Sequence, residues 1–185
     1  EFRGAIKDGI EAWNLAFENI GFKNAIIAKQ MPDDADWDPA DSRYSTIRWF
    51  IQPGSGYAVG PSRANPYTGE IYDADVRISA DFVKGFYEEF EEFVTPVLDD
   101  EISYLWSEEE NSHEHKNCNY ATHLKEEMSS GWHNLINKNI ISGNKKELMD
   151  YVYKGLVDLV LHEVGHTLGL RHNFKASSIY SIEQL

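Results

Sequence analysis

Apolar residues recur at three- and four-residue steps near the start of the chain: Ile6, Ile10, Trp13, Phe17 and Ile20. That period predicts an amphipathic helix over residues 3–20, and Gly21 is a natural stop. Residues 22–30 carry the short apolar run Ala25-Ile26-Ile27-Ala28 and read as a strand. Residues 44–52 read as a second strand, alternating loosely between Tyr44, Thr46, Arg48 and Ser45, Ile47, Trp49. Helix, strand, loop and strand at these lengths suggest an α/β unit with a parallel pair. Residues 53–69, punctuated by Gly54, Gly56, Gly60, Pro61 and Pro66, read as a long loop of the kind that is functional or mobile. Tyr72, Ala74, Val76 and Ile78 then share one face of a strand at 70–79, with Ile71, Asp73, Asp75 and Arg77 on the more polar side.

The second half is helical in pattern. Residues 80–94 carry Phe82, Phe86, Phe90 and Phe93 as an aromatic stripe, read as core packing, and Pro96 ends the segment. Residues 99–119 give no clear element. His113, His115 and Cys118 invite a metal, but no second pair follows at matching spacing, and a solvated loop is the simpler reading. Leu124, Met128, Trp132, Leu135 and Ile136 predict a helix over 120–140, so 80–141 reads as a helical insertion. A last helix is expected over about 145–168, capped by Ser142 or Asn144, with Glu147 completing a capping box. On it Tyr153, Val157, Val160, Leu161, Val164 and Leu168 make one apolar stripe, and His162 and His166 lie roughly opposite. Gly165 falls between these faces, either as a tolerated small residue or as the seat of another segment.

The chemistry is carried by His162-Glu163-Val164-Gly165-His166-Thr167-Leu168-Gly169-Leu170-Arg171-His172. Two histidines four apart on a helix point the same way and can grip one metal. Glu163 is placed to take a proton from a metal-bound water. Gly169 can end the helix in a turn that brings His172 back as a third ligand. Three imidazoles on zinc leave an open fourth position, as catalysis needs. A chance match to this five-position pattern in a chain of this composition is on the order of one in ten thousand.

The motif resembles the zinc signature of the metzincin clan of metalloproteases. With the stretches around Asp33 to Trp49 and Gly60 to Val76, it looks closest to a family of bacterial zinc-dependent metalloproteases known largely from sequence. The likeness covers most of the chain outside about residues 80 to 145. It implies an α/β (α+β) metzincin-like catalytic domain over residues 1–185. Its parts would be a small mixed twisted sheet, a backing helix, a long zinc-binding helix and the insertion. It further implies a zinc-dependent endopeptidase with one catalytic Zn²⁺ on His162, His166 and His172, Glu163 as general base, and a peptide or protein substrate. Strand 70–79 would lie at the sheet edge above the cleft and take the substrate as an added strand, with Gly56, Tyr57, Gly60, Ile71 and Asp73 lining the rim. Two alternatives stay open: a zinc-binding scaffold that no longer cleaves, and a zinc hydrolase of non-peptide substrates. Metzincins carry a methionine turn downstream of the third histidine, whereas Met31, Met128 and Met149 all lie upstream. A catalytic-domain fragment ending before that turn is therefore expected. The resemblance also implies an exported protein.

Composition narrows the field. A formal charge of −14 argues against nucleic acid and against anionic membranes. The best apolar run, 155–161, is far too short to span a bilayer and contains Asp158. Cys118 is the only cysteine, which rules out an intrachain disulfide. No signal peptide is visible, and the direct entry into helix at Glu1-Phe2-Arg3 suggests that the natural N-terminus lies upstream. Five aspartates between Asp33 and Asp41 could hold calcium, or could form a solvated loop that caps nearby amides.

Overall fold

The computed structural model describes residues 2–51, 58–84, 120–173, 179–181 and 184. Its elements are α1 (Arg3–Glu11), α2 (Trp13–Asn19), β1 (Thr46–Phe50), β2 (Ala58–Val59), β3 (Ser62–Ala64), β4 (Ile71–Ser79), α3 (Tyr120–Asn137) and α4 (Lys145–Thr167). The architecture is mixed α/β, a small open sheet with helices, as the sequence led us to expect.

The helix anticipated over 3–20 is interrupted at Ala12, and Gly21, at φ +94°, ends it. It backs α4 closely. A Cβ on Gly9 would lie 2.6 Å from Val160 Cβ and 2.8 Å from the Val157 carbonyl oxygen, so only glycine permits this approach. The Tyr153 hydroxyl donates to Asp8 Oδ2 at 2.5 Å, and Trp13 Nε1 donates to the Leu161 carbonyl at 2.9 Å. Phe2 stacks on Trp49 of β1, which ties this helix to the sheet.

The strand expected at 22–30 is absent. Its backbone hydrogen bonds go to helix side chains instead: Ile26 exchanges two with the Asn14 amide, and the Ala28 N–H donates to Glu11 Oε1. The parallel pair expected between 22–30 and 44–52 is therefore not formed; β1 pairs in parallel with β4 instead, with Ile47 opposite Val76 and Trp49 opposite Ile78. Asp75, on the polar side of β4, accepts from Thr46 Oγ1 at 2.7 Å and pairs with Arg48 at 3.2 Å.

Strand β4 is not an edge. On its other side run β2 and β3, both antiparallel, with Ala58 opposite Ile78 and Ser62 opposite Ala74. The presumed loop 53–69 therefore supplies the edge of the sheet, and its glycines and prolines concealed two short strands. Residues Gly56 and Tyr57 lie outside the described residues, as do Phe86, Phe90, Phe93, His113, His115 and Cys118.

The core joins Ala58, Val76 and Ile78 of the sheet to Phe82, Val83 and the helices. Residues 81–84 are helical. Helix α3 contributes Ala121, Met128 and Trp132 and fits α4 at Gly155, where a Cβ would meet Met128 Sδ at 2.1 Å. The Tyr151 hydroxyl donates to the Met128 carbonyl at 2.9 Å. Helix α4 thus buries more than the single stripe expected: Leu148, Val152, Leu156 and Leu159 are buried alongside Val160 and Val164. A helix covered by α1 on one flank and by α3 and the sheet on others needs apolar residues over most of its surface.

Calcium finds no support in the acidic loop. Among the described residues, which include 33–41, only three histidines bring metal-ligating atoms together. The aspartates act locally, as the simpler reading had it. Asp38 Oδ1 accepts from the Ala40 N–H, and Asp41 accepts from the Arg43 N–H and guanidinium. That guanidinium holds the Asp41 carboxyl down at about 2.

Candidate metal centre

The centre begins with the capping of α4, since that fixes where the helix starts and so which residues reach its far end. Asn144 Oδ1 accepts from the Lys146 and Glu147 N–H groups, and Glu147 Oε2 accepts in return from the Asn144 N–H. This is the expected capping box. At the other end the Leu170 N–H donates to the Gly165 carbonyl and the Gly169 N–H to the His166 carbonyl, each at 3.0 Å. These paired bonds define a Schellman turn, with Gly169 at φ +91° in the position that disfavours a side chain.

The turn carries His172 back over the helix. Its Nε2 lies 3.1 Å from His162 Nε2, and the ligand atoms of His162, His166 and His172 all fall within 4.8 Å of one another. His166 Nδ1 lies 2.9 Å from the Leu170 carbonyl oxygen, which can only accept, so the proton sits on Nδ1. That leaves Nε2 as the nitrogen of the neutral ring that can offer a lone pair, and that atom is buried with no hydrogen-bond partner among the described residues. Burial, reinforced by His166 and His172, pushes the His162 imidazole down to about 4, which keeps it neutral. Tetrahedral zinc, with metal–nitrogen distances of 2.0–2.1 Å, wants nitrogens roughly 3.3 Å apart. Three imidazoles already drawn together, one of them with a buried Nε2 that has no hydrogen-bond partner among the described residues, fit that demand.

Glu163 is fully buried, and neither carboxylate oxygen has a partner among the described residues. Burial raises its pKa to about 7, a shift that the neighbouring His166 opposes. The lid over it is the backbone of Gly60, between β2 and β3. A Cβ there would lie 2.4 Å from the Glu163 carbonyl oxygen and 3.3 Å from Oε2.

The anticipated residues His162, Glu163, His166, His172, Gly169 and Gly60 are thus brought together. Ile71 and Asp73 stand opposite Ala64 and Arg63 of β3, so their strand is not at the sheet edge. Asp73 is buried and its Oδ1 has no partner among the described residues. The exposed edge beside the centre is Ser62, Arg63 and Ala64.

Two neighbours of the centre escaped sequence reasoning. The Tyr120 ring lies flat on the His162 imidazole, with centroids 3.7 Å apart and planes within 1°. Its hydroxyl hydrogen-bonds Asp158, one turn before His162 on α4. The four-residue step from Asp158 to His162 was a visible signal; the arrival of Tyr120 from another helix was not. Gly165 takes the second of its two readings, since a Cβ there would meet Trp13 Cζ2 at 2.9 Å.

A family model described as Met-zincin matches residues 144–185, which span α4 and all three histidines. No curated protein and no solved structure matches the chain. Among the described residues no helix is long and apolar enough to cross a membrane.

Proposed function

We propose that this domain is a zinc-dependent endopeptidase that uses Glu163 as its general base. The observation that carries the reading is the pairing of three converging imidazoles with a buried carboxylate that has no partner of its own. Zinc held by His162, His166 and His172 would supply Lewis acidity toward the scissile carbonyl and acidify a water near neutral pH. Glu163 takes a proton from the attacking water and returns it to the leaving amine. Its burial beneath Gly60 raises its proton affinity toward neutrality, which suits a group that must first accept and then donate. A purely structural site would have no use for such a base.

A peptide substrate suits the exposed edge formed by Ser62, Arg63 and Ala64, which follows closely on the Gly60 backbone over Glu163 and can accept an added strand through its main chain. That role moves from strand 70–79 to its outer neighbour, with Gly60 kept at the rim. The match to Met-zincins over α4 supports the same class of chemistry. On the resemblance of the sequence, the enzyme works outside the cytoplasm.

Elemental analysis of the purified chain, with His166→Ala as control, comes first. One zinc per chain that is lost in the control is expected. Glu163→Gln should then keep the metal and lose cleavage of a peptide library by roughly 10²–10⁴-fold. Zinc uptake with full turnover in Glu163→Gln would overturn the mechanism. Zinc uptake without cleavage of any peptide by the wild type would favour the inactive scaffold or a non-peptide substrate.

A further inference from the structure

We propose that Tyr120 and Asp158 form a brace that sets the plane of the His162 imidazole for metal binding, an inference that rests on the zinc reading above. The ring of Tyr120 covers one face of the imidazole at 3.7 Å, nearly parallel to it. Contact at that distance blocks rotation of the imidazole about its Cβ–Cγ bond, because any turn drives an edge into the phenol ring. The phenol is itself fixed at its far end by the hydrogen bond to Asp158.

Asp158 stands one helical turn before His162, so anchor and ligand ride on the same rigid element. Tyr120 comes from the first residue of α3, and α3 is locked to α4 elsewhere. Met128 fills the space over Gly155, and the Tyr151 hydroxyl lies 2.6 Å from where a Gly131 Cβ would be. The brace therefore closes between two fixed helices.

The physical consequence is preorganisation. An imidazole that rotates freely must be immobilised when metal binds, and the entropy lost opposes binding. A stacked imidazole has already lost that freedom on folding. Its Nε2 is held towards His172, 3.1 Å away, while His166 is held independently through Nδ1 and the Leu170 carbonyl. Different devices thus fix two of the three ligands: a backbone acceptor for His166 and an aromatic face for His162. Tyr120 and Asp158 are positioning residues, acting through His162 and not on the substrate.

The test is zinc affinity by competition with a chromophoric chelator, together with the ligand-field absorption of the Co²⁺-substituted protein. Tyr120→Leu, which keeps bulk but removes the flat ring, is expected to weaken zinc binding roughly 10–100-fold, as loss of an orienting neighbour does. The cobalt bands should shift and broaden. Tyr120→Phe keeps the ring and loses only the anchor, so it should fall between Tyr120→Leu and wild type. Asp158→Ala should match Tyr120→Phe, and the double variant should be no worse than either, because both remove one hydrogen bond.

Far-UV circular dichroism establishes that each variant is folded; should Tyr120→Leu unfold, the milder pair still decides. Zinc affinity and cobalt spectrum unchanged in folded Tyr120→Leu would overturn the brace while leaving the metal centre standing. Additive losses in the Tyr120→Phe and Asp158→Ala pair would also overturn it. A wild-type chain that takes up neither metal would overturn the zinc reading and the brace with it, an outcome told apart from the others by the wild-type titration alone.

Discussion

Gly60 lies directly over Glu163: a Cβ added to the glycine would sit 2.4 Å from the glutamate's carbonyl oxygen and 3.1 Å from its carbonyl carbon. Both are backbone atoms of a helix that is packed against α1, α3 and the sheet, so they cannot give way. Gly60→Ala must lift the edge strand instead. The expected cost is about 1–3 kcal/mol of stability, read by chemical denaturation. Because the same segment roofs Glu163, the general base of the proposed mechanism, kcat/KM on a peptide should fall at least about tenfold while bound zinc is retained. Unchanged turnover in a destabilised Gly60→Ala protein would mean that the edge strand does not position Glu163.

Burial of Glu163 makes the metal-free protein pH-sensitive in a definite direction. The folded pKa, about 7, stands above the ordinary value of 4.5, so the folded state favours the neutral acid. Its contribution is fully present below 4.5 and is lost as pH rises through 7. His162 acts oppositely: with its folded value pushed down to about 4, it costs stability as pH falls from 6.5 through 4. Comparing wild type with Glu163→Gln, both stripped of metal by a chelator, cancels the histidine. The variant should gain on wild type between pH 5 and pH 8, by up to about 3 kcal/mol. Parallel stability curves over that range would show that the carboxylate is solvated and not buried.

Gly169 separates conformational strain from packing. Nothing lies within 4 Å of where its Cβ would be, yet its φ is +91°. Gly169→Ala should therefore cost about 1 kcal/mol through the backbone alone. Loosening the Schellman turn also loosens His172, so zinc affinity should fall while His162 and His166 keep their places on α4. Gly169→Asn should be milder, since asparagine tolerates left-handed backbone better than alanine. Equal zinc affinity in Gly169→Ala would indicate that the third ligand is held by something other than this turn.

The three histidines and Glu163 were legible in the sequence because the devices that gather them are local. Asn144 and Glu147 start the helix, a four-residue step aligns His162 with His166, and Gly169 turns the chain back within six residues of His166. What was missed depends on contacts between distant segments. Ala25 to Ala28 has the composition of a strand, but its backbone is satisfied by Asn14 and Glu11, which no period along the chain reveals. The edge strand was hidden by Gly60 and Pro61, which usually mark loops; here the glycine is needed because a helix backbone passes against it. Tyr120 looked like the first residue of an ordinary helix, and its role exists only because α3 meets α4 beside His162.

The last such contact joins Trp13 to Gly165. The indole N–H donates to the Leu161 carbonyl at 2.9 Å, and the ring edge occupies the space in which a Gly165 side chain would stand. Within a helix, glycine costs about 1 kcal/mol relative to alanine, so Gly165→Ala would stabilise α4 if the indole were absent. With Trp13 present, the new methyl meets Cζ2 at 2.9 Å and must displace it, at about 1–3 kcal/mol. The two substitutions should therefore be strongly coupled. Gly165→Ala should destabilise the wild type yet stabilise Trp13→Ala, giving an interaction energy of about 1–3 kcal/mol in a double-mutant cycle. Additivity within about 0.5 kcal/mol would mean that the indole does not pack on the helix at that point. Because Gly165 stands between Glu163 and His166, the displaced indole should also cost zinc affinity in Gly165→Ala, and Trp13→Ala should restore part of it.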